Sequence, residues 1–264
     1  MNEQKPPNGI EWTRLPGRKG YTLNPIAGCG HGCRWRMPGG KVVQCYAKSV
    51  AEGPFAFHYP GGFENITFHP ERLDEIKGLK KPSGIFIDSM SDLFGVGVPA
   101  EWTSHVLNHV ALYPQHVFFS LTKNAPQLVK FKMPSNLWVG ISAPATFMFG
   151  KELSFMQQVR WFETSLGYLA QCDSKTKWVS LEPLSIDVSE ALDQFRSYLS
   201  WAVIGAGSDG RRYYQPDEQT LCNVRDVLHP LPIFFKGNMS KELAMEVFGR
   251  WPNDFPKEEV LCSA

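Results

Sequence analysis

Short apolar runs alternate with longer stretches of helical period along most of this chain. The runs at 21–25 (YTLNP), 65–68 (NITF), 84–88 (GIFID), 116–121 (HVFFSL), 137–142 (LWVGIS), 177–181 (KWVSL), 201–205 (WAVIG) and 232–236 (PIFFK) are short and mostly β-branched or aromatic, so they read as strands. Several are apolar almost throughout, as strands of a parallel sheet covered on both faces are. Between them lie helix candidates. "HPERLDEIKG" has Pro70 at a helix start and Gly78 at its end. "VPAEWTSHVLNHVALY" puts Trp102, Val106, His109, Val110 and Tyr113 on one stripe, and the stretch after Lys151 does the same with Phe155, Val159, Phe162, Leu166 and Leu169. Further helices are predicted at 124–131, 187–199, 216–228 and 240–249.

Strand–helix alternation repeated about eight times predicts an α/β fold, a single (β/α) barrel that is partial or complete. No composition break or linker interrupts residues 1–264, which read as one domain. The polar and glycine-rich residues sit just after the predicted strands, in the cysteine loop at 24–47, "DSMSDLFG", "LTKNAP", "ISAP", "SLEPL", "GAGSDG" and "KGNM". In a barrel of parallel strands these loops converge on one rim, where active sites of that architecture lie.

Composition narrows the class. Apolar residues make up 43% and charged residues 20%, as in ordinary globular proteins, with 18 Phe, 8 Trp and 8 Tyr for a core. The net charge of +1 recruits neither nucleic acid nor an anionic membrane through a global field. The opening residues carry acids and prolines and no apolar core, which predicts no signal peptide. No apolar run approaches the roughly 20 residues of a membrane helix. The chain therefore reads as cytoplasmic, where clustered thiols serve as metal or cluster ligands rather than disulfides.

Three of the six cysteines, Cys29, Cys33 and Cys45, fall within 17 residues of "NPIAGCGHGCRWRMPGGKVVQCYA". Three thiolates suit an iron–sulfur cluster that leaves one iron open. They also suit zinc if His31 supplies a fourth ligand in a Cys₃His site. Cys172, Cys222 and Cys262 lack ligand spacing and read as ordinary thiols.

The loop resembles the "N-P-x-x-G-C-x-H-G-C-x-aromatic-C-Y-A" segment of radical S-adenosylmethionine (SAM) proteins that include relatives of spore photoproduct lyase. The whole chain is similar to a phage- and bacterium-associated three-cysteine family of that kind, the phage Gp37/Gp68 type. The fragments that carry the likeness run in order: "IEWT", the cysteine loop, "SMSDLFG", "LTKNAPQL", "LWVGIS", "WVSLEPL", "WAVIGAGSDG" and "FFKGNM". The resemblance implies a radical SAM-type barrel with a [4Fe–4S] cluster on Cys29, Cys33 and Cys45 and SAM as cofactor. It implies reductive cleavage of SAM to a 5′-deoxyadenosyl radical, an external electron donor, and a partner protein encoded nearby. Distant similarity to spore photoproduct lyase implies a nucleic acid or nucleotide substrate, which the net charge does not reinforce. Two departures stand out. The family's third cysteine would fall at position 36, where Arg36 stands, and "RMPGGKVVQ" intervenes before Cys45. No Gly-Gly-Glu follows the second strand candidate.

The other rim residues have two readings each. Asp92 is a candidate to hold SAM ribose or amino groups, or a loop carboxylate that satisfies backbone amides. Glu182 ends an apolar strand, where a carboxylate needs a cation, amides or a ligand. Lys123 and Lys236 are candidates for an anionic group, or partners of Glu182 or Asp92. Gly205 and Gly207 form either an amide cradle or a plain turn. With Ser142 of "ISAP", the set toward SAM is Asp92, Ser142, Glu182, Gly205, Gly207 and Lys236. Competing functions are a non-catalytic metal-binding protein and a metal-independent barrel hydrolase using Asp92 and Glu182.

Overall fold

The computed structural model describes residues 1–6 and 9–256; Cys262 lies outside the described residues. Eight strands form one sheet in chain order: β1 (Asn2–Glu3), β2 (Lys19–Leu23), β3 (Ser83–Ile87), β4 (Val117–Thr122), β5 (Leu137–Ser142), β6 (Lys177–Leu181), β7 (Trp201–Ile204) and β8 (Ile233–Phe235). From β2 to β8 every neighbouring pair is parallel, while β1 pairs antiparallel with β2. β3 is buried along its whole length, as its unbroken apolar run foretold.

One strand candidate is overturned. At 65–68 only Thr67–Phe68 is extended, and it pairs with Ile26–Ala27 outside the main sheet. Two residues later Pro70 opens a 3₁₀ helix, Pro70–Gly78, which leaves no length for a sheet strand. The eighth place is taken by β1, whose two polar residues carry no strand signal.

The sheet is open. Among the described residues β1 and β8 do not pair, so the closed barrel is not formed. Residues 252–254 instead line the free edge of β8 antiparallel: Phe235 N donates to Pro252 O and Asp254 N to Ile233 O. The sheet is nevertheless curled. The Trp12 ring lies 4.9 Å from Phe86 on β3, 4.9 Å from Trp178 on β6 and 6.3 Å from Trp201 on β7. In a flat sheet β3 and β7 stand roughly 19 Å apart, at four strand spacings. One indole reaches rings from both because the strands wrap around it. The backbone of this segment enters beside β3, where a Cβ on Gly84 would lie 2.1 Å from Thr13 O.

The convex face is covered by α2 (Ala100–Ala111), α3 (Phe155–Gln171), α4 (Ser189–Phe195), α5 (Glu218–Leu228) and α6 (Lys241–Phe248), after a shorter α1 (Tyr46–Glu52) beyond the cysteine loop. Between helices and sheet runs the larger apolar core. The buried stripes keep part of the predicted ones: Val106 and Val110 in α2, and Phe162, Leu166 and Leu169 in α3. α2 buries Thr103, Val106, Leu107 and Val110. α3 buries Phe162, Leu166 and Leu169, while Phe155, directly after the Ser154 capping box, is exposed.

Candidate functional site

Side chains alternate across each strand, so every second residue points into the half-barrel. Phe86, Phe119, Trp138, Trp178, Trp201 and Phe234 do so and pack with Trp12 into an aromatic plug. Continuing in steps of two leads to the rim: Ser142 on β5, then Glu182, Gly205 and Lys236 just past β6, β7 and β8. The contacts bear this out for the last three. Lys236 Nζ lies 2.9 Å from Glu182 Oε2, and a Cβ on Gly205 would meet Lys236 Cδ at 3.1 Å and Glu182 Cγ at 3.2 Å. Ser142 stands opposite Ser180 in the register, and Ser180 Oγ donates to Glu182 Oε1. Trp12 Nε1 donates to the same oxygen, joining plug to rim. The attraction of Glu182 holds the Lys236 ammonium above the ordinary lysine value against its burial.

The cysteine loop solves its spacing with a hairpin. Arg34–Arg36 pairs antiparallel with Val42–Gln44 in the register Arg34↔Gln44, Trp35↔Val43, Arg36↔Val42. Met37 to Lys41 make the turn, with Met37 N donating to Lys41 O and Gly39 and Gly40 both at positive φ. Carried one step further, this register sets Cys33 beside Cys45, and Cys45 N donates to Cys33 O at 3.0 Å. The residues between Arg36 and Cys45 are thus a strand and a turn that bring the third thiol back. Cys29 N is held by Phe63 O at 2.8 Å. Cys45 packs with Cys33 against Ala145 and Met148 on one side, and with Cys29 against Ala47 and Phe63 on the other. The three thiols form one neighbourhood.

The hairpin has two faces. Cys33, Trp35, Val43 and Cys45 share one, by the period of two; Arg34, Arg36, Val42 and Gln44 share the other. It is braced across the mouth. Arg34 pairs with Phe147, Arg36 reaches Glu152 at 2.5 Å, and Lys41 reaches Asp209 at 2.5 Å. Buried Met37 fills the space that a side chain on Gly207 would need, its Sδ 2.8 Å from the missing Cβ.

Several expected roles change in this setting. Asp92 is buried and spent: Oδ1 accepts from Phe94 N, and Oδ2 from Thr122 Oγ1 and Lys123 N, each at 2.9 Å. It ties the loops after β3 and β4 together, which is the amide-satisfying reading. His31 is buried, accepts from Val96 N through Nε2, and turns Nδ1 toward Asp92 Oδ2 at 3.6 Å. Burial lowers its pKa, so the ring is a neutral packing group against Phe149, with Nε2 taken by Val96 N. The "GAGSDG" segment is a closed turn. Gly205 N donates to Leu181 O, Ala206 N to Asn238 Oδ1, Asp209 N to Arg212 O and Gly210 N to Ser208 Oγ. Those amides make no anion cradle; Gly205 and Gly207 serve by having no side chain.

The Cys29 and Cys33 thiols are disposed to be neutral. Burial, then the nearby Asp92, pushes Cys29 up, and burial pushes Cys33 up to about 11 against the pull of Lys123. Among the described residues no three His, Cys, Asp or Glu side chains converge on a single-ion site. Three soft thiols from one loop remain a donor set that fits a cluster, whose larger body spreads its ligands. Trp12 and Asn238 were not singled out by residue type. Their signal was position alone, inside "IEWT" and "FFKGNM".

A family model described as "Protein of unknown function (DUF5131)" matches residues 8–242. No curated protein matches the chain. Among solved structures the chain is similar to a mutant of spore photoproduct lyase, at 10% identity and TM-score 0.46, covering 93% of this chain and 78% of that one. It is likewise similar to spore photoproduct lyase complexed with dinucleoside spore photoproduct, at 10% identity and TM-score 0.43, covering 89% and 76%.

Proposed function

We propose that this chain, which belongs to the DUF5131 family, is a radical SAM-type iron–sulfur protein with Cys29, Cys33 and Cys45 as its cluster ligands. The observation that carries the reading is the hairpin register, which returns Cys45 to Cys33 across a gap that otherwise breaks the motif. When bound, a [4Fe–4S] cluster with one iron free of protein ligands supplies the electron that cleaves SAM and so generates a radical for hydrogen abstraction. An external electron donor is implied.

The chain's own residues prepare the place. The aromatic plug closes the half-barrel below the rim and the braced hairpin lies across it above, burying Cys33 and leaving Cys29 and Cys45 half-buried. Asp92 locks the loops after β3 and β4 in position beside Cys29 and His31. Ser142, Glu182 and Lys236 are the rim side chains offered to SAM; Glu182 and Lys236 hold each other in a charge pair that a polar ligand would share.

Anaerobic purification and reconstitution tests the reading. Expected are about four iron and four sulfide per chain, with 5′-deoxyadenosine formed from SAM on reduction. Stoichiometric zinc with no iron taken up would overturn it.

A further inference from the structure

We propose that Lys123 and the indole N–H of Trp35 form an anion subsite beside Cys33, which takes a carboxylate or phosphate of the substrate. Its role as a substrate site rests on the reading above; its existence rests on geometry alone. Trp35 lies on the inward face of the hairpin and packs against Cys33, Ala145 and Met148. Its Nε1 is buried and donates to nothing. Lys123 follows β4 and stands with its ammonium 5.6 Å from the centre of the Trp35 ring. The two potential donors therefore occupy one corner of the mouth.

The charges around them are unequal. Lys236, the other rim lysine, is neutralised by Glu182 at 2.9 Å. Among the described residues Lys123 has no carboxylate within ion-pair distance. Asp92, next to it in the fold, already accepts three hydrogen bonds, one from the Lys123 backbone. An unpaired ammonium and an unpaired buried N–H in one place are what an anionic oxygen group satisfies. The resemblance would place the one carboxylate of SAM at the open iron, so the anion assigned to this corner is the substrate's.

Calorimetric titration of the whole protein tests this, with and without reconstituted iron, using orthophosphate, acetate and SAM as separate probes. Expected is saturable binding of orthophosphate or acetate at one site per chain, weakened about tenfold or more in Lys123→Met and several-fold in Trp35→Phe. Lys123→Arg should keep the charge and the binding, and exposed Arg211→Met should bind as wild type. A preference for one probe identifies phosphate or carboxylate as the group recognised, and either supports the site. Absence of saturable binding in a folded protein, or unchanged binding in Lys123→Met, overturns it. Full competition by SAM, with equal loss of SAM binding in Lys123→Met, assigns the anion to the cofactor and overturns the substrate role. Because the iron-free titration needs no cluster, anion binding without iron uptake sinks only the function proposed above, while a cluster without anion binding sinks only the subsite.

Discussion

The lower and upper halves of the same strands are built from opposite materials. Below, inward positions carry Phe86, Phe119, Trp138, Trp178 and Trp201, packed with Trp12 in one cluster. Two to four residues further along, the same inward rows carry buried Gly205 and the partly open Lys123, Ser142, Glu182 and Lys236, small or charged. The lower layer excludes water and takes its stability from buried aromatic area. The upper layer keeps polar groups that are costly unless paired, and pairs most of them within itself. Stability and chemistry are thus separated along each strand by a few residues.

The comparison breaks if plug variants prove mild or rim variants severe. Trp178→Ala should cost about 4 kcal/mol in urea unfolding, because it opens a cavity among three neighbouring rings, Trp12, Phe119 and Trp201. Glu182→Gln should cost about 2 kcal/mol, since it leaves Lys236 poorly paired but not fully dry. A cost for Glu182→Gln equal to that of Trp178→Ala would dissolve the distinction between the layers.

Hairpin variants should separate chemistry from stability more sharply. Deleting Val42 alone shifts the register by one residue and turns Cys45 to the outer face. Iron per chain should fall to near zero, with about 1 kcal/mol lost in stability. Deleting Arg36 and Val42 together removes one cross-strand pair, keeps Cys33 opposite Cys45, and should preserve iron. Iron content of the two reconstituted proteins checks this.

The smallest effect is expected at Asp88, where the inward row of β3 passes from plug to rim. Asp88 is buried at positive φ; Oδ1 accepts from Ile26 N and Oδ2 has no partner. Burial raises its carboxyl well above the ordinary value of 3.8. An acid raised by folding contributes stability that is fully present below its unfolded value and lost as pH rises through the folded one. Asp88→Asn keeps the acceptor for Ile26 and removes that loss. The melting temperature of the variant relative to wild type should therefore rise with pH above 4, by a few degrees at most; a constant difference would count against a neutral Asp88.

Much of this was legible beforehand because the signals are local. Apolar runs located β2 through β8 within two residues, and the polar residues after them marked the rim. The three thiols stood out by reduced-compartment logic and spacing. Positions whose meaning depends on distant partners were not legible. Asp92 reads alike as a free carboxylate or a satisfied one until Thr122 and Lys123 are placed against it. The "GAGSDG" amides read as a cradle until Leu181, Asn238, Arg212 and Ser208 take those of Gly205, Ala206, Asp209 and Gly210.

The sequence by itself determined the order of β2 through β8 and the helices between them, the parity that sends aromatics inward below and polar groups inward above, and the clustering of Cys29, Cys33 and Cys45 in one loop. These follow from periodicity and residue chemistry, which act over a few residues. Only the tertiary structure decided that the sheet stays open, that β1 at its edge rather than 65–68 supplies the eighth strand, and that Trp12 fills the centre. It also decided that Arg36 to Gln44 fold as a strand and turn which deliver Cys45 to Cys33. Those outcomes depend on which strands and loops meet, and pairing between segments far apart in the chain is chosen by packing and register rather than by any local pattern.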